Sequence, residues 1–364
     1  MKSYNHLWEK FISDENISLA IKNASKGKKS RNSVKKRLED PDFRSQIKYY
    51  AEHFKNKPHK PCEIYDGIRR KKRTIIVPSF DEQVIHHMLV NVLKPIFLRG
   101  MYEHSYGSIP GRGCHKGMRA IKKWISRGGK DCKYCLKMDI RKYFDSIPHD
   151  IYLANLRKII HDERIMQVIE EITGVIPRGI ALGFYLSQWT ANWYLQGLDH
   201  YIKEKLRAKY YIRYMDDMVI FGSNKRQLHK IRQEIENYLK IKLGLRLKDN
   251  WQVFRFDYKG RFRALDFMGF RFYRNRITLR RSILLKATRK AKRIAKAVKP
   301  TVYSCKQMLS YTGWLTHTDT YNAYFKYVKP YISVKKLRKK ISNYDRRQLI
   351  CGTKSKAVQP ARAS

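Results

Sequence analysis

The run Tyr211-Ile212-Arg213-Tyr214-Met215-Asp216-Asp217-Met218-Val219-Ile220-Phe221 constrains the fold more than any other segment. Two short β-rich stretches flank an acidic pair, which predicts a hairpin with the acids at its tip. Tight hairpins favour Asn-Gly or Asp-Gly there, because the turn needs positive φ. No glycine lies between Tyr210 and Phe221. Adjacent carboxylates also repel each other, so a tip of this kind calls for a compensating cation.

A second acid-bearing strand precedes it. In Tyr134-Cys135-Leu136-Lys137-Met138-Asp139-Ile140, Leu136, Met138 and Ile140 alternate with Cys135, Lys137 and Asp139, as a two-faced strand would. Asp139 falls near its C-terminal end. Phe144-Asp145-Ser146-Ile147-Pro148 then reads as a helix start with an Asp/Ser cap and an early proline. Asp145 is read as that cap rather than as a metal ligand. Magnesium prefers hard oxygen ligands, a few carboxylates and substrate phosphates. Two such ions about 4 Å apart can activate a 3′-hydroxyl and stabilise a leaving pyrophosphate. Asp139, Asp216 and Asp217, on two neighbouring strands, are enough to hold them. The plainer alternative is a surface turn with solvated acids.

These acids stand in a very basic chain. Its 364 residues carry 79 Lys plus Arg against 31 Asp plus Glu, a net charge of +48. A charge that large repels itself unless a polyanion neutralises it, and nucleic acid is the expected partner. With 43% hydrophobic and 13% aromatic residues, disorder over most of the length is excluded. No apolar run reaches the roughly 20 residues of a membrane span, and Met1 to His6 begins no signal peptide. Six scattered cysteines suggest no disulfide framework, so a cytoplasmic location is expected. Cys132-Lys133-Tyr134-Cys135, with Cys114 and His115 upstream, invites a zinc reading. There is no second Cys-x-x-Cys, however, and Cys135 lies inside the Asp139 strand.

From Leu279 to Ser364 there are 22 Lys plus Arg and only two acids, Asp319 and Asp345. Ser282 to Val298 reads as a helix with Leu284, Ala287, Ala291, Ile294 and Val298 on one face. Lys286, Arg289, Lys290, Arg293 and Lys296 form a basic stripe beside it, with no acids to pair them, and are read as phosphate contacts. Tyr303 to Tyr311 and Asn322 to Val328 read as two short helices, the first followed by Thr312-Gly313-Trp314-Leu315-Thr316-His317. Lys335 to Lys340 follows, and Gly352 to Ser364 reads as a frayed tail. Lys22 to Arg37 is either a nucleic-acid-binding arm or a loop between helices. His86-His87, on an apolar helix, is read as packing or RNA contact, and Trp189, Trp193, Tyr194 and Leu195 as helix core.

Tyr214-Met215-Asp216-Asp217 resembles the active-site box of reverse transcriptases, and further segments match in order. Arg73-Thr74-Ile75-Ile76-Val77-Pro78 looks like their fingers strand. His104-Ser105-Tyr106-Gly107-Ser108-Ile109-Pro110-Gly111-Arg112-Gly113 resembles a Ser-Tyr-Gly-x-x-Pro-Gly-Arg box of bacterial enzymes. Lys137 to Ile147 and Leu182-Gly183-Phe184-Tyr185-Leu186-Ser187-Gln188 resemble the two palm motifs, and Phe267-Met268-Gly269-Phe270 the primer-grip hairpin. The resemblance covers about residues 30 to 340. Leu182 before Gly183, and Ser187-Gln188 at the close, are most similar to diversity-generating retroelement enzymes of bacteria and phages. Group II intron enzymes read Gln-Gly and Ser-Pro there. The Gly-Trp-Leu-Thr-His segment also resembles the thumb of the diversity-generating family.

The resemblance implies an α+β right-hand polymerase. Residues 1–130 would form an N-terminal segment and fingers, and 131–275 a palm of antiparallel strands on helices, with an insertion at about 148–180. A basic helical thumb would span 276–345, and a tail 346–364. It implies an RNA-directed DNA polymerase using two Mg²⁺ ions, with Mn²⁺ as an in vitro substitute. Asp139, the Ile140 carbonyl, Asp216 and Asp217 would ligate the metals. Arg73, with Lys71 or Lys72, would bind the triphosphate; for the lysines a solvated hairpin tip is the equal alternative. Phe144 would exclude ribonucleotides by bulk, or simply fill core. Leu182 and Gly183 would face the nucleotide, as would Gln188, which could equally cap a helix. Arg112, Lys286, Arg289, Lys290 and Arg293 would contact nucleic acid, and Lys248 is a candidate proton donor to pyrophosphate. Template RNA, primer, dNTPs and a small accessory protein are the implied partners. The products would be adenine-mutagenised cDNA. Nothing after the basic lobe is long enough for an RNase H domain, and no Cys/His endonuclease cluster appears, so the chain is expected to copy RNA without degrading it or cutting DNA. Another bacterial reverse transcriptase (defence-associated, retron or group II-like), or an inactive RNA-binding scaffold, remains as an alternative.

Overall fold

The computed structural model describes residues 3–66, 71–257 and 263–354. The chain divides into two compact units, residues 1–120 with 127–255, and residues 121–126 with 256–364.

In the first unit, β1 (Pro61–Asp66) and β2 (Lys71–Ile76) form an antiparallel hairpin in register from Pro61↔Ile76 to Asp66↔Lys71. Residues 67–70 of its tip, including Arg69 and Arg70, and the Lys71 side chain lie outside the described residues. A four-stranded sheet combines β3 (Tyr134–Asp139), β4 (Tyr210–Tyr214), β5 (Asp217–Gly222) and β6 (Gln252–Arg255) in the order β4-β5-β3-β6, every pair antiparallel. The alternation read in the sequence holds: Leu136 and Met138 are buried, while Lys137 and Asp139 are half-exposed. Cys135 is buried as well, as a strand with a partner on each side allows.

Helices back the sheet. The Lys225–Leu243 helix buries Leu228, Ile231, Ile235, Leu239 and Leu243 at three- and four-residue steps. The Asn224 side chain caps its start, and Gly244, at φ +60°, ends it in the left-handed region. The Phe80–Arg99 helix opens with a capping box, in which the Ser79 hydroxyl accepts from the Glu82 N–H and the Glu82 carboxylate from the Ser79 N–H. It packs against the Tyr185–Tyr194 helix, and one apolar cluster runs through both and the sheet. Helix Tyr185–Tyr194 begins two residues ahead of Ser187, and no side chain caps it.

One sequence reading needs correction here. Asp145 and Ser146 do not cap the following helix. It spans His149–Arg157 with Pro148 at the N-cap and no side-chain cap, and the Ser146 hydroxyl instead donates to the Arg141 carbonyl. Of the two readings of Lys22–Arg37, the structure has the segment between helices. It joins helices Asp14–Ala24 and Asn32–Glu39, Lys28 bonds Gln83, and Arg37 grips the Asp81 carboxylate with two bonds.

His86 and His87 are packing residues. His86 is fully buried with its ring 4.7 Å from Phe184, and His87 stacks on Tyr185 at 4.1 Å. Burial pushes the His86 imidazole down to about 3 and, with Lys28 adding to it, His87 down to about 4. Both are neutral in the folded protein at pH 7, whereas unfolded histidines bind protons below about pH 6.5. Their contribution is therefore fully present above that value and is lost as pH falls toward 3–4. For His86 the loss is about 2 kcal/mol at pH 5. Urea unfolding at pH 7.5 and pH 5 checks this. His86→Leu is expected to narrow the gap between the two pH values, and an unchanged gap would refute it.

The second unit contains the antiparallel meander β7 (Leu265–Phe267), β8 (Phe270–Phe272) and β9 (Ile277–Leu279). Met268 and Gly269, at φ 49° and 86°, make the two-residue turn expected between Phe267 and Phe270. A Cβ on Gly269 would stand 2.9 Å from the Trp314 ring, which packs 4.9 Å from Phe270. The basic helix spans Arg281–Lys296 and buries Ala287, Ala291 and Ile294. It ends before Val298, which is 98% exposed and so leaves the apolar face assigned to it. Residues 312–316 do not interrupt the next helix: Val302–Thr316 is continuous and carries Gly313 inside it. Tyr321–Tyr327 and Val334–Lys354 follow. The last helix includes Lys335 to Lys340 and continues through Gly352, where a tail was expected; residues 355–364 are outside the described residues. Among the described residues, no helix is long and apolar enough to cross a membrane.

Candidate active site

The β4–β5 hairpin forms as read, with Met215 and Asp216 at its turn. Met215 takes φ +55°, so the left-handed position normally given to glycine is filled by methionine. β5 pairs with β3 so that Asp217 lies directly across from Asp139, and the Ile140 N–H donates to the Asp216 carbonyl at 3.3 Å. The structure thus brings the three aspartates of the two motifs to one end of the sheet.

Asp216 is half-buried. Burial first, and then the charge of Asp139, hold its carboxyl well above the usual carboxylate range. One Asp139 oxygen, Oδ1, is buried without a hydrogen-bond partner, and the other takes the Lys248 ammonium. A second carboxylate beside an unpartnered buried oxygen suits a hard divalent cation. Among the described residues no group of three or more His, Cys, Asp or Glu side chains gathers as a metal cage. The fit therefore rests on the Asp139–Asp216 pair, with Asp217 adjacent in register. Cys132 and Cys135 are buried and Cys114 is half-buried.

The nucleotide-side candidates are joined through the backbone. The Ile76 N–H donates to the Leu182 carbonyl at 2.8 Å. Gly183, at φ +108°, leaves no room for a Cβ, which would lie 2.1 Å from the Ile76 carbonyl oxygen. Nearby, the Ile180 N–H donates to the Phe144 carbonyl at 2.8 Å. The segment 180–183 therefore ties the end of the Arg73 strand to the Phe144 turn. Phe144 is half-buried, 5.7 Å from Tyr143, with its ring against the core. Arg73 and Leu182 are half-exposed and Gln188 is exposed. The Gln188 carbonyl accepts from Asn192 at 3.1 Å.

Other candidates have structural partners. Lys72 pairs with Glu63 across the hairpin at 2.6 Å. Arg112 donates to the Tyr102 carbonyl at 2.6 Å. In the second unit Arg289 and Arg293 are exposed, Lys286 is half-buried, and Lys290 reaches Ser304 at 3.5 Å.

Sequence reasoning missed Asn192, Asp199 and Arg213, which lie buried beneath the Met215 turn. The Arg213 guanidinium makes three bonds of 2.6–3.1 Å to Asp199 and one of 3.1 Å to the Met215 carbonyl. No local signal marks them: Asn192 lies in helix Tyr185–Tyr194 and Asp199 in the next, Gln196–His200.

Comparison with known proteins follows this geometry. The family described as "Reverse transcriptase (RNA-dependent DNA polymerase)" matches residues 55–272, which contain β1 to β8 and all three aspartates. The chain is similar to the uncharacterized 91 kDa protein in the cob intron of Schizosaccharomyces pombe, 32% identical over 40% of this chain and 19% of that protein. It is similar to protein YkfC of Escherichia coli K12, 23% identical over 49% of this chain and 58% of that one. It also matches the group II intron-encoded protein LtrA of Lactococcus lactis subsp. cremoris, 26% identical over 39% of this chain and 24% of that one. The matched segments thus span from about a fifth to three fifths of these relatives' lengths. Because the family match covers more than half of the chain and includes the hairpin whose acids the structure sets beside Asp139, this protein belongs to the reverse transcriptase family.

Proposed function

We propose that the chain is an RNA-directed DNA polymerase that extends a primer on an RNA template. The observation that carries this reading is the placement of Asp139 and Asp216 side by side at the end of two antiparallel strands. Divalent metal, when bound there, would activate the primer hydroxyl and neutralise charge on the leaving pyrophosphate. The chain's own residues supply position: Gly183 and the Leu182 carbonyl hold the Arg73 strand, and Phe144 is anchored through its carbonyl beside them. Arg73 would bind the triphosphate by charge-assisted hydrogen bonds. Lys286, Arg289, Lys290 and Arg293 would meet backbone phosphates, and a net charge of +48 supports a long nucleic-acid partner. Primer extension on RNA with dNTPs and Mg²⁺ tests the reading. Deoxynucleotide addition is expected, and no DNA product with cognate RNA and partner supplied would overturn it.

The finer assignment is the error-prone enzyme of a diversity-generating retroelement, working with a small accessory protein and a structured RNA. Leu182 ahead of Gly183, and Ser187-Gln188, support it. A glutamine at 182 could hydrogen-bond the incoming sugar, whereas leucine can only pack, so geometric control of the pair would loosen. Product sequencing is expected to show more errors at template adenines than at other bases. Leu182→Gln is expected to lower them by about three- to tenfold, the worth of one hydrogen bond. An even error spectrum would favour a group II intron-like enzyme, the reading that the similarity to LtrA supports.

A further inference from the structure

Met215 occupies a backbone conformation that favours glycine, at the turn that carries Asp216. Something must hold it there. Three contacts do so from different sides. The Arg213 Nη1 donates to the Met215 carbonyl at 3.1 Å. The Asn192 Nδ2 lies 3.3 Å from the Met215 sulfur and donates to the Gly107 carbonyl at 2.7 Å. Gly107 presses on Met215 so closely that a Cβ there would stand 2.5 Å from its Cγ and 2.7 Å from its backbone nitrogen.

Each contact is itself fixed. Asp199 grips Arg213 with three bonds and accepts the Tyr211 hydroxyl at 2.7 Å. Arg213 also donates to the Asn192 carbonyl and side-chain oxygen at 3.2 and 3.3 Å. Gly107 is held alongside β4, because the Arg213 N–H donates to the His104 carbonyl and the Tyr106 N–H to the Arg213 carbonyl, at 3.0 and 2.9 Å. Asn192, Asp199 and Arg213 are all buried.

We propose that Asn192, Arg213 and Asp199, with Gly107 opposite, form a cradle that holds Met215 left-handed and so sets the Asp216 carboxylate against Asp139. They are positioning residues: none touches a reacting atom, and their effect passes through the turn. The cradle deepens the polymerase reading, which assigns the Asp139–Asp216 pair to metal, and explains how that pair can sit on a turn without glycine. It also gives the Ser105-Tyr106-Gly107 segment a role, since only glycine fits against Met215.

The test compares Asn192→Ala with Asn192→Ala/Met215→Gly. A glycine at 215 adopts positive φ without help, so the cradle becomes dispensable in that background. Mn²⁺ binding is read by loss of the free-ion resonance, counting only binding that Asp216→Ala removes. Asn192→Ala is expected to weaken this binding about tenfold and to slow primer extension at saturating dNTP by about 10- to 100-fold, with KM for dNTP little changed. In the Met215→Gly background both losses are expected to shrink to less than about threefold. Equal losses in the two backgrounds, or no loss in either, would overturn the cradle. Gly107→Ala, which pushes on Met215 while leaving Asn192 in place, is a second variant in case Asn192→Ala melts below the assay temperature. Met215→Gly is expected to rescue it in part, because glycine removes the side-chain clash but keeps the backbone nitrogen 2.7 Å from the added Cβ. A native chain that binds Mn²⁺ but extends no primer would refute the polymerase reading alone, and the Mn²⁺ comparison would still decide the cradle.

Discussion

Asp216→Ala is expected to lower RNA-templated primer extension by at least about a thousandfold while leaving the fold intact. The two carboxyls lie together, and burial, then the charge of Asp139, raise the Asp216 carboxyl above the usual carboxylate range. Such a pair binds a divalent ion far better than either acid alone. A bound metal supplies several kcal/mol of charge stabilisation at the reacting phosphate, and every 1.36 kcal/mol is about a tenfold change in rate. Nothing in the hairpin ladder depends on the Asp216 side chain: the Ile140 N–H bonds its carbonyl, which alanine retains. Removing this carboxyl also removes the burial that opposes its ionisation beside Asp139. The melting temperature should therefore hold or rise while activity collapses. Steady-state extension and a thermal melt on the same preparation check this. Activity within tenfold of the native chain would mean that the pair does not hold the reaction's metal.

The acidic hairpin and its partner strand were legible because each reports itself locally. Alternation marks β3, and two β-rich runs on either side of Asp216-Asp217 are close enough in sequence to pair as a hairpin. The cradle was not legible. Its members lie far apart in sequence, and in a chain with 79 basic residues nothing marks Arg213 as a buried one. Met215 at positive φ contradicts local turn rules and makes sense only once Gly107 and Asn192 stand beside it. Gly313 misled for a related reason. A glycine inside a helix costs about 1 kcal/mol relative to alanine, which the packing of Cys305, Met308, Thr312 and Leu315 can offset. The failed capping of His149–Arg157 shows the same limit, since Asp145 and Ser146 sit in a short helical turn of their own, Tyr143–Ser146.

The largest effect on stability is expected at the Arg213–Asp199 pair. Both side chains are 0% exposed, so water can solvate neither if its partner is removed. Burial opposes the Arg213 charge, and the Asp199 carboxylate more than offsets it, keeping the guanidinium protonated. Arg213→Met is expected to destabilise the fold by about 3–5 kcal/mol, because it strands a buried carboxylate rather than because the pair is itself worth that much. Arg213→Met with Asp199→Leu removes both charges and should recover much of the loss. Recovery stays incomplete, since the Tyr211 hydroxyl and the carbonyls of Met215 and Asn192 each lose a partner. Urea midpoints at constant m-value measure all three proteins. A single variant within about 1 kcal/mol of native would mean that water reaches the pair. The double variant also separates two roles that coincide in the native chain. Apolar packing can replace the stability of the ion pair, but no methionine can donate to the Met215 carbonyl. The stability of the double variant is therefore expected to return without its Mn²⁺ affinity.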